Sequence, residues 1–193
     1  MILVGDIGNT DIKISLYSNH KKLILKKRIN PILLNLNKLN FHFSFLKKYL
    51  KSIDKILFCS VVPNKFIKIK KYFEKITNKK CYELKKLKIE KLIKIEVKKN
   101  QVGSDRLANA ISVLKPNKNF IIIDFGTATT FDIVINKNYI GGVIAPGVQL
   151  SLENLTNRAS LIPKINLKKI KNVIGKNTSS AINSGFYLGY NGL

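Results

Sequence analysis

The chain has 193 residues, 45% hydrophobic and 24% charged, enough to bury a substantial core in one large or two small domains. No apolar run approaches the roughly 20 residues of a membrane-spanning helix, and Met1-Ile2-Leu3-Val4 opens as a strand without a signal peptide's basic region, so a cytoplasmic protein with no membrane partner is expected. The formal charge of +24 invites a nucleic-acid reading, but 25 basic and 7 acidic side chains fall in residues 1–100, against 5 and 4 in 101–163 and 5 and 0 in 164–193.

The excess thus avoids the motif-rich centre. Only Arg28, Arg106 and Arg158 are arginines, whereas base reading and bidentate phosphate contacts favour that residue. Compositional charge on solvated faces is expected, with weak salt-sensitive adhesion to nucleic acid and no specific binding.

The first half opens with a hairpin over residues 1–17 turned by Asp6-Ile7-Gly8-Asn9-Thr10, with Ile12, Ile14 and Leu16 alternating on the way out. Gly8 allows a positive φ and close backbone approach, and Asn9 and Thr10 add donors; the same five residues also suit an ordinary Asn-containing turn. A third strand is predicted over 22–29 and a helix over 43–51, from the spacing of Phe43, Phe45, Leu46, Tyr49 and Leu50. A buried strand over 55–62, ended by Pro63, and an amphipathic helix over 65–77 follow. Residues 80–99 read as strand and loop, rich in solvent-facing Lys. Cys59 and Cys81, with no CxxC and no suitably spaced His, read as reduced thiols and not as a zinc site.

Residues 101–113 change character. Gly103-Ser104-Asp105-Arg106 forms a compact turn ahead of a helix through Leu107, Ala110, Ile111 and Leu114. Ser104 or Asp105 suits the cap of that helix. Equally, Asp105 suits a base at the mouth of a cleft, with Arg106 a clamp for a carboxylate or phosphate. Spacing leaves both readings open.

Lys115-Pro116-Asn117 is the predicted boundary between two domains, 1–115 and 116–193. Residues 119–135, NFIIIDFGTATTFDIVI, read as strand, turn and strand around Asp124-Phe125-Gly126-Thr127-Ala128-Thr129-Thr130. That knot sets a carboxylate beside a glycine and three hydroxyls, so backbone N–H groups, Thr hydroxyls and an Asp-held cation can meet one phosphate chain. Two D-x-G-[NT]-[TA] turns about half a chain apart indicate an internal duplication. A strand over 139–145 follows, with Gly141 and Gly142 suited to close packing. The turn at Pro146-Gly147 then leads to a helix over 148–158, whose N-terminus is a second place for an anion. Beyond Leu161-Ile162-Pro163, Ile174-Gly175-Lys176-Asn177-Thr178 opens a final helix with Asn177 or Thr178 as N-cap. It lacks GxxxxGK spacing and is not a P-loop. The repeat symmetry predicts at least one more strand and helix, so the second domain is expected to be C-terminally incomplete at Leu193.

Taken in order, DIGNT at 6–10, SVVP at 60–63, GSDR at 103–106, DFGTATT at 124–130, GGVIAPG at 141–147, LIP at 161–163 and IGKNT at 174–178 resemble type III pantothenate kinase over nearly the whole chain. That family, some of whose members are called Baf, belongs to the acetate and sugar kinase, chaperone ATPase and actin superfamily. The resemblance implies an α/β fold of two duplicated RNase H-like (actin-like ATPase) domains, the second incomplete here, with a catalytic cleft between them, and a homodimer. It implies ATP-dependent phosphorylation of pantothenate to 4'-phosphopantothenate, the first step of coenzyme A biosynthesis. By position, Asp6, Ile7, Gly8, Asn9, Thr10, Asp11, Ile12 and Lys13 would form the first ATP-phosphate turn, with Asp6 near Mg2+, and Thr127 would also bind ATP. Asp105 would accept the proton of the attacking hydroxyl, and Gly103, Ser104, Asp105, Arg106 and Thr178 would contact pantothenate. Asp124 would bind a monovalent cation, K+ or NH4+.

Two departures stand out. Glu96, Lys98 and Lys99 occupy the stretch where the family shows a Tyr and an Asn-Pro pair. The family also continues past the equivalent of Leu193 into a strand and a TGG turn that hold adenosine. The alternative expectation is therefore a noncatalytic or degraded homologue with a Baf-like regulatory or binding role.

Overall fold

The structure, a computed structural model, describes residues 1–35 and 37–193 and is a mixed α/β protein with two sheets. It divides into two compact units, Met1–Ile121 with Asp132–Gly141, and Ile122–Phe131 with Gly142–Leu193.

In the first unit, β1 (Ile2–Ile7), β2 (Ile12–Tyr17) and β3 (Leu23–Ile29) form an antiparallel meander. β1 also pairs in parallel with β4 (Lys55–Ser60), and β4 with β5 (Cys81–Glu83), giving the order β3-β2-β1-β4-β5. Alternation along β1 and β2 buries Leu3, Ile7, Ile12, Ile14 and Leu16 completely, as a one-sided sheet face requires. Against that face lie α1 (Leu39–His42) and α2 (Pro63–Thr77). Pro63 sits in the first turn of α2, where its missing N–H is not needed, and Asn78 ends the helix in the left-handed conformation at φ 53°. Phe66, Ile69 and Phe73 form its buried stripe, and the Phe73 ring lies 4.9 Å from Phe43 and 5.8 Å from Phe58.

The helix expected over 43–51 is instead a 3-10 helix, Ser44–Ser52. Phe43 and Leu46 are buried and Tyr49 packs beside them, a spacing of three that eclipses on one face at three residues per turn. Three short 3-10 turns and the two-residue β6 (Lys94–Ile95) fill the lysine-rich stretch before α3 (Ser104–Ser112).

β7 (Phe120–Phe125), β8 (Ala128–Ile135) and β9 (Asn138–Pro146) complete the second sheet, ordered β6-β9-β8-β7. Asn136 and Lys137, both at positive φ, make the two-residue turn between β8 and β9. In the second unit α4 (Val148–Arg158) follows β9, and α5 (Thr178–Asn191) is capped by Asn177, whose side chain accepts from the Ser180 N–H at 2.9 Å in a full capping box. The Tyr190 hydroxyl reaches Ser151 Oγ at 2.7 Å and so ties α5 to α4. Among the described residues no helix is long and apolar enough to cross a membrane.

Candidate active site

The DIGNT turn closes where β1 ends. Gly8 N–H donates to Asp11 O at 2.8 Å, making a tight loop between β1 and β2. Of the two roles open to Gly8, a positive φ and a close backbone approach, the first is not used, since Gly141, at φ +136°, is the glycine that has one. What Gly8 supplies is space: a Cβ there would stand 3.1 Å from the Asp11 carbonyl.

Within the turn the charges are divided. Asp6 faces Lys13 across the β1/β2 pair, Nζ to Oδ2 3.5 Å, and both side chains are half-exposed. Asp11 turns towards β3, where Arg28 donates Nε and Nη2 to its two oxygens. The Arg28 hydrogen bond is the main cause that holds the Asp11 carboxyl below its ordinary value, with burial opposing it. Of the turn's two carboxylates, Asp11 is thus committed to its own sheet.

Asp6 lies in register with Cys59 on the parallel strand β4, which brings the end of the DIGNT strand beside the SVVP segment. Gly5 makes that approach possible, because a Cβ there would enter the buried Phe58 ring at 1.9 Å. The GSDR turn arrives at the same place. Burial, then the charge of Asp6, push the Cys59 thiol up to about 12; Ser104 hydrogen-bonds the thiol and opposes the rise, while Glu83 and Asp105 add to it. The register of Asp6 with Cys59, the Ser104 bond to Glu83 and the 3.6 Å from a Cβ at Gly103 to Val61 bring the DIGNT strand and the GSDR turn to the same end of β4 in the first unit.

Neither Ser104 nor Asp105 caps α3 in the usual way, since Gly103 is the N-cap and no side chain caps it. The buried Ser104 donates to Glu83 Oε1 at 2.5 Å. Asp105 Oδ1 accepts the Arg106 N–H at 2.8 Å, a favourable place for a carboxylate in a first helical turn. The carboxylate folds back over Gly103, where a Cβ would be 2.3 Å from Oδ1.

Arg106 is also anchored. Its Nε and Nη2 donate to Asp132 Oδ1 on β8 at 2.8 and 2.6 Å, and the Tyr139 hydroxyl of β9 donates to the same oxygen at 2.5 Å. Asp132 is fully buried and Tyr139 nearly so. Burial weakens the charge on Arg106, but the hydrogen bonds and charge of Asp132 outweigh it and leave its pKa raised. Glu96, at the departure from the family pattern, is exposed and pairs with Lys94 at 3.3 Å, while its backbone N–H donates to Tyr139 O.

In the second unit the DFGTATT turn carries Asp124 and Thr127, both exposed. Gly126 N–H donates to Ala128 O at 3.0 Å, and Gly147, just before α4, donates to Thr127 O at 2.9 Å. This seats the turn on the N-terminal end of α4. Thr178 is the exposed first residue of α5. Just before it, Gly175 packs so close that a Cβ would meet Ala181 N at 2.2 Å.

Sequence reasoning did not single out Glu83, Asp132 or Tyr139. One signal existed for Asp132, an acid set within the apolar run Phe131, Ile133, Val134 and Ile135 of β8. For Glu83 in its lysine-rich surroundings there was none.

The chain matches the family model for type III pantothenate kinase over residues 2–193. It is 57% identical over 199 residues to a type III pantothenate kinase of Pelagibacter ubique, covering 100% of this chain and 78% of that protein. Against that of Sulfurihydrogenibium sp. it is 40% identical over 207 residues, covering 98% and 78%. A Baf family protein from Campylobacter jejuni, known from its crystal structure, shares the fold at TM-score 0.57 and 19% identity over 98% of this chain and 75% of that one. A family model that fits from Ile2 to Leu193, with two close relatives of the same name, establishes that the chain belongs to the type III pantothenate kinase family.

Proposed function

We propose that this chain transfers the γ-phosphoryl group of ATP to the terminal hydroxyl of pantothenate, giving 4'-phosphopantothenate and ADP in the first step of coenzyme A biosynthesis. The observation that supports this reading is that the DIGNT strand, with Asp6 in register with Cys59, and the GSDR turn, bonded through Ser104 to Glu83 and facing Val61 across 3.6 Å from a Cβ at Gly103, come to the same end of β4. Asp105 accepts the proton as the hydroxyl oxygen bonds to the γ-phosphorus and the bond to the β,γ-bridging oxygen breaks. Phosphoryl transfer depends mostly on positioning and charge neutralisation, so one base and two phosphate turns are sufficient equipment. The turn of residues 6–13, in which Asp11 serves by holding Arg28, and Thr127 hold the phosphates, with Lys13, 3.5 Å from Asp6, as a cation of the first turn. Gly103, Ser104, Arg106 and Thr178 hold pantothenate.

Among the described residues no group of three or more His, Cys, Asp or Glu is clustered for a metal. Mg2+ is commonly held by one or two carboxylates together with waters and substrate phosphates, and half-exposed Asp6 is a fitting donor. Exposed Asp124 offers a hard oxygen ligand for K+ or NH4+. When bound, these cations would neutralise phosphate charge. Two strands entering D-x-G turns, β1 and β7, support the reading as two duplicated RNase H-like domains, 1–115 and 116–193. A cytoplasmic homodimer completes the proposal.

Purified protein with Mg2+, K+, ATP and pantothenate should release ADP, and Asp105→Asn should lower kcat by about 10²–10⁴-fold with the fold intact. Full turnover by Asp105→Asn removes the base from this scheme. Pantothenate binding with no ADP release by the unaltered chain replaces it with the noncatalytic, Baf-like reading.

A further inference from the structure

The Arg106 cluster holds more than an ion pair needs. One carboxylate oxygen, Asp132 Oδ1, takes three donors from two elements: Arg106 Nε and Nη2 from α3, and the Tyr139 hydroxyl from β9. Asp132 itself stands on β8, joined to β9 by the tight Asn136-Lys137 turn, so acceptor and third donor belong to one short hairpin.

The cluster is expensive to keep. A buried pair of charges roughly breaks even with apolar residues of the same volume, so tying α3 to β8 is a weak reason for one. Its geometry suggests another. The Nε/Nη2 edge of a guanidinium is the side of the fork, and Asp132 occupies that side. The plane of the group is then fixed, and the end of the fork, Nη1 with the second Nη2 proton, keeps a set direction. That end is the part able to grip a planar carboxylate with two parallel hydrogen bonds. Arg106 is partly exposed, at 14% of its side chain, and it directly follows Asp105 in the chain.

We infer that Asp132 and Tyr139 are positioning residues that hold Arg106 rigid for the carboxylate end of the substrate, so that preference for an acid over its neutral analogue depends on two residues that never touch the substrate. This rests on the proposed pantothenate reading and deepens it. An arginine already immobilised loses little side-chain freedom on binding, and that saving goes to ligands that carry the carboxylate. Tyr139 matters because its hydroxyl is one of the bonds that fix Asp132 Oδ1, so its loss loosens the acceptor against which Arg106 is set.

The test is calorimetric binding of pantothenate and of pantothenol, in which a neutral hydroxymethyl group replaces the carboxylate, to the full chain and to Tyr139→Phe and Asp132→Asn. Tyr139→Phe removes one oxygen from a packed ring and keeps the fold measurable even where Asp132→Asn, which leaves Arg106 buried without its partner charge, does not fold. Tyr139→Phe should weaken pantothenate binding about fivefold and leave pantothenol within twofold; in turnover the loss should appear in KM and not in kcat. Equal weakening of both ligands, or unchanged pantothenate affinity in a folded Tyr139→Phe, overturns the inference. Failure of the unaltered chain to bind pantothenate at all overturns the functional reading beneath it.

Discussion

Gly147 is where the packing of the second unit makes its sharpest demand. Its φ of −69° is one that any residue adopts, so nothing in its own backbone requires glycine. The requirement comes from its neighbours. A Cβ at 147 would lie 2.2 Å from Gly126 O, 2.6 Å from Thr127 O and 2.8 Å from Thr127 C, against 3.4–4 Å for ordinary contact. All three are backbone atoms, so no side-chain rotation relieves the clash, and Gly147→Ala must drive the DFGTATT turn away by about 1 Å. Overpacking of this kind costs about 1–3 kcal/mol. Straining the Gly147 N–H to Thr127 O bond adds about 1 kcal/mol. A total near 2–4 kcal/mol lowers Tm by roughly 5–15 °C in a chain of this size. If Thr127 contacts ATP as proposed, a shift of that size also lowers kcat/KM for ATP by up to about 10²-fold. Gly189→Ala is the matched control, since no atom lies within 4 Å of a Cβ there and its helix gains about 1 kcal/mol from alanine. Scanning calorimetry and ADP release below both melting points read the two effects. A Gly147→Ala protein with unaltered Tm and ATP kinetics refutes the argument, as does a Gly189→Ala protein equally damaged.

Two further outcomes follow from the first unit. Phe73 is fully buried among Phe43, Phe58 and Tyr72, so Phe73→Ala should cost about 3–5 kcal/mol in urea unfolding, and a loss below about 1 kcal/mol would show that the cluster is not the core. Burial pushes both cysteine thiols up to about 12, with Asp6 adding to the effect at Cys59 and Glu74 at Cys81. An unfolded thiol ionises near pH 8.5, so the folded state keeps protons that the unfolded chain releases. Their contribution to stability is complete below about pH 8 and is lost as pH rises from there towards 12. The stability of the unaltered chain relative to Cys59→Ala/Cys81→Ala should therefore fall between pH 7 and 10, and a flat difference contradicts the shift.

The reading of elements held best where the signal is local. The alternation of Ile12, Ile14 and Leu16, the apolar run of Phe120 to Ile123 and the Asn177 cap of α5 each act within a few residues and stand where the sequence puts them, while α2 begins at Pro63, two residues before the expected 65. The helix over 43–51 went astray because its apolar residues satisfy two periods at once, and packing of Phe43 and Leu46 into the core selected the tighter one. At Gly8 the close backbone approach holds and the positive φ does not, whereas the demand on Gly147 comes from Thr127 and Gly126, 20 and 21 residues earlier, which no local pattern reveals.

The sequence alone determined the chemistry on offer: carboxylates beside small residues in two D-x-G turns, the GSDR turn, and a motif order that names the family. Those properties reside in short segments whose turn geometry is set by adjacent residues. Tertiary structure alone decided which counter-charge holds each charged side chain. Asp11 pairs with Arg28 from 17 residues away and Arg106 with Asp132 from 26 away, and no local rule selects those partners. Strand register and the packing of α3 bring them together, and at Asp132, which is fully buried, a charge removed from water must take whatever counter-charge the fold delivers.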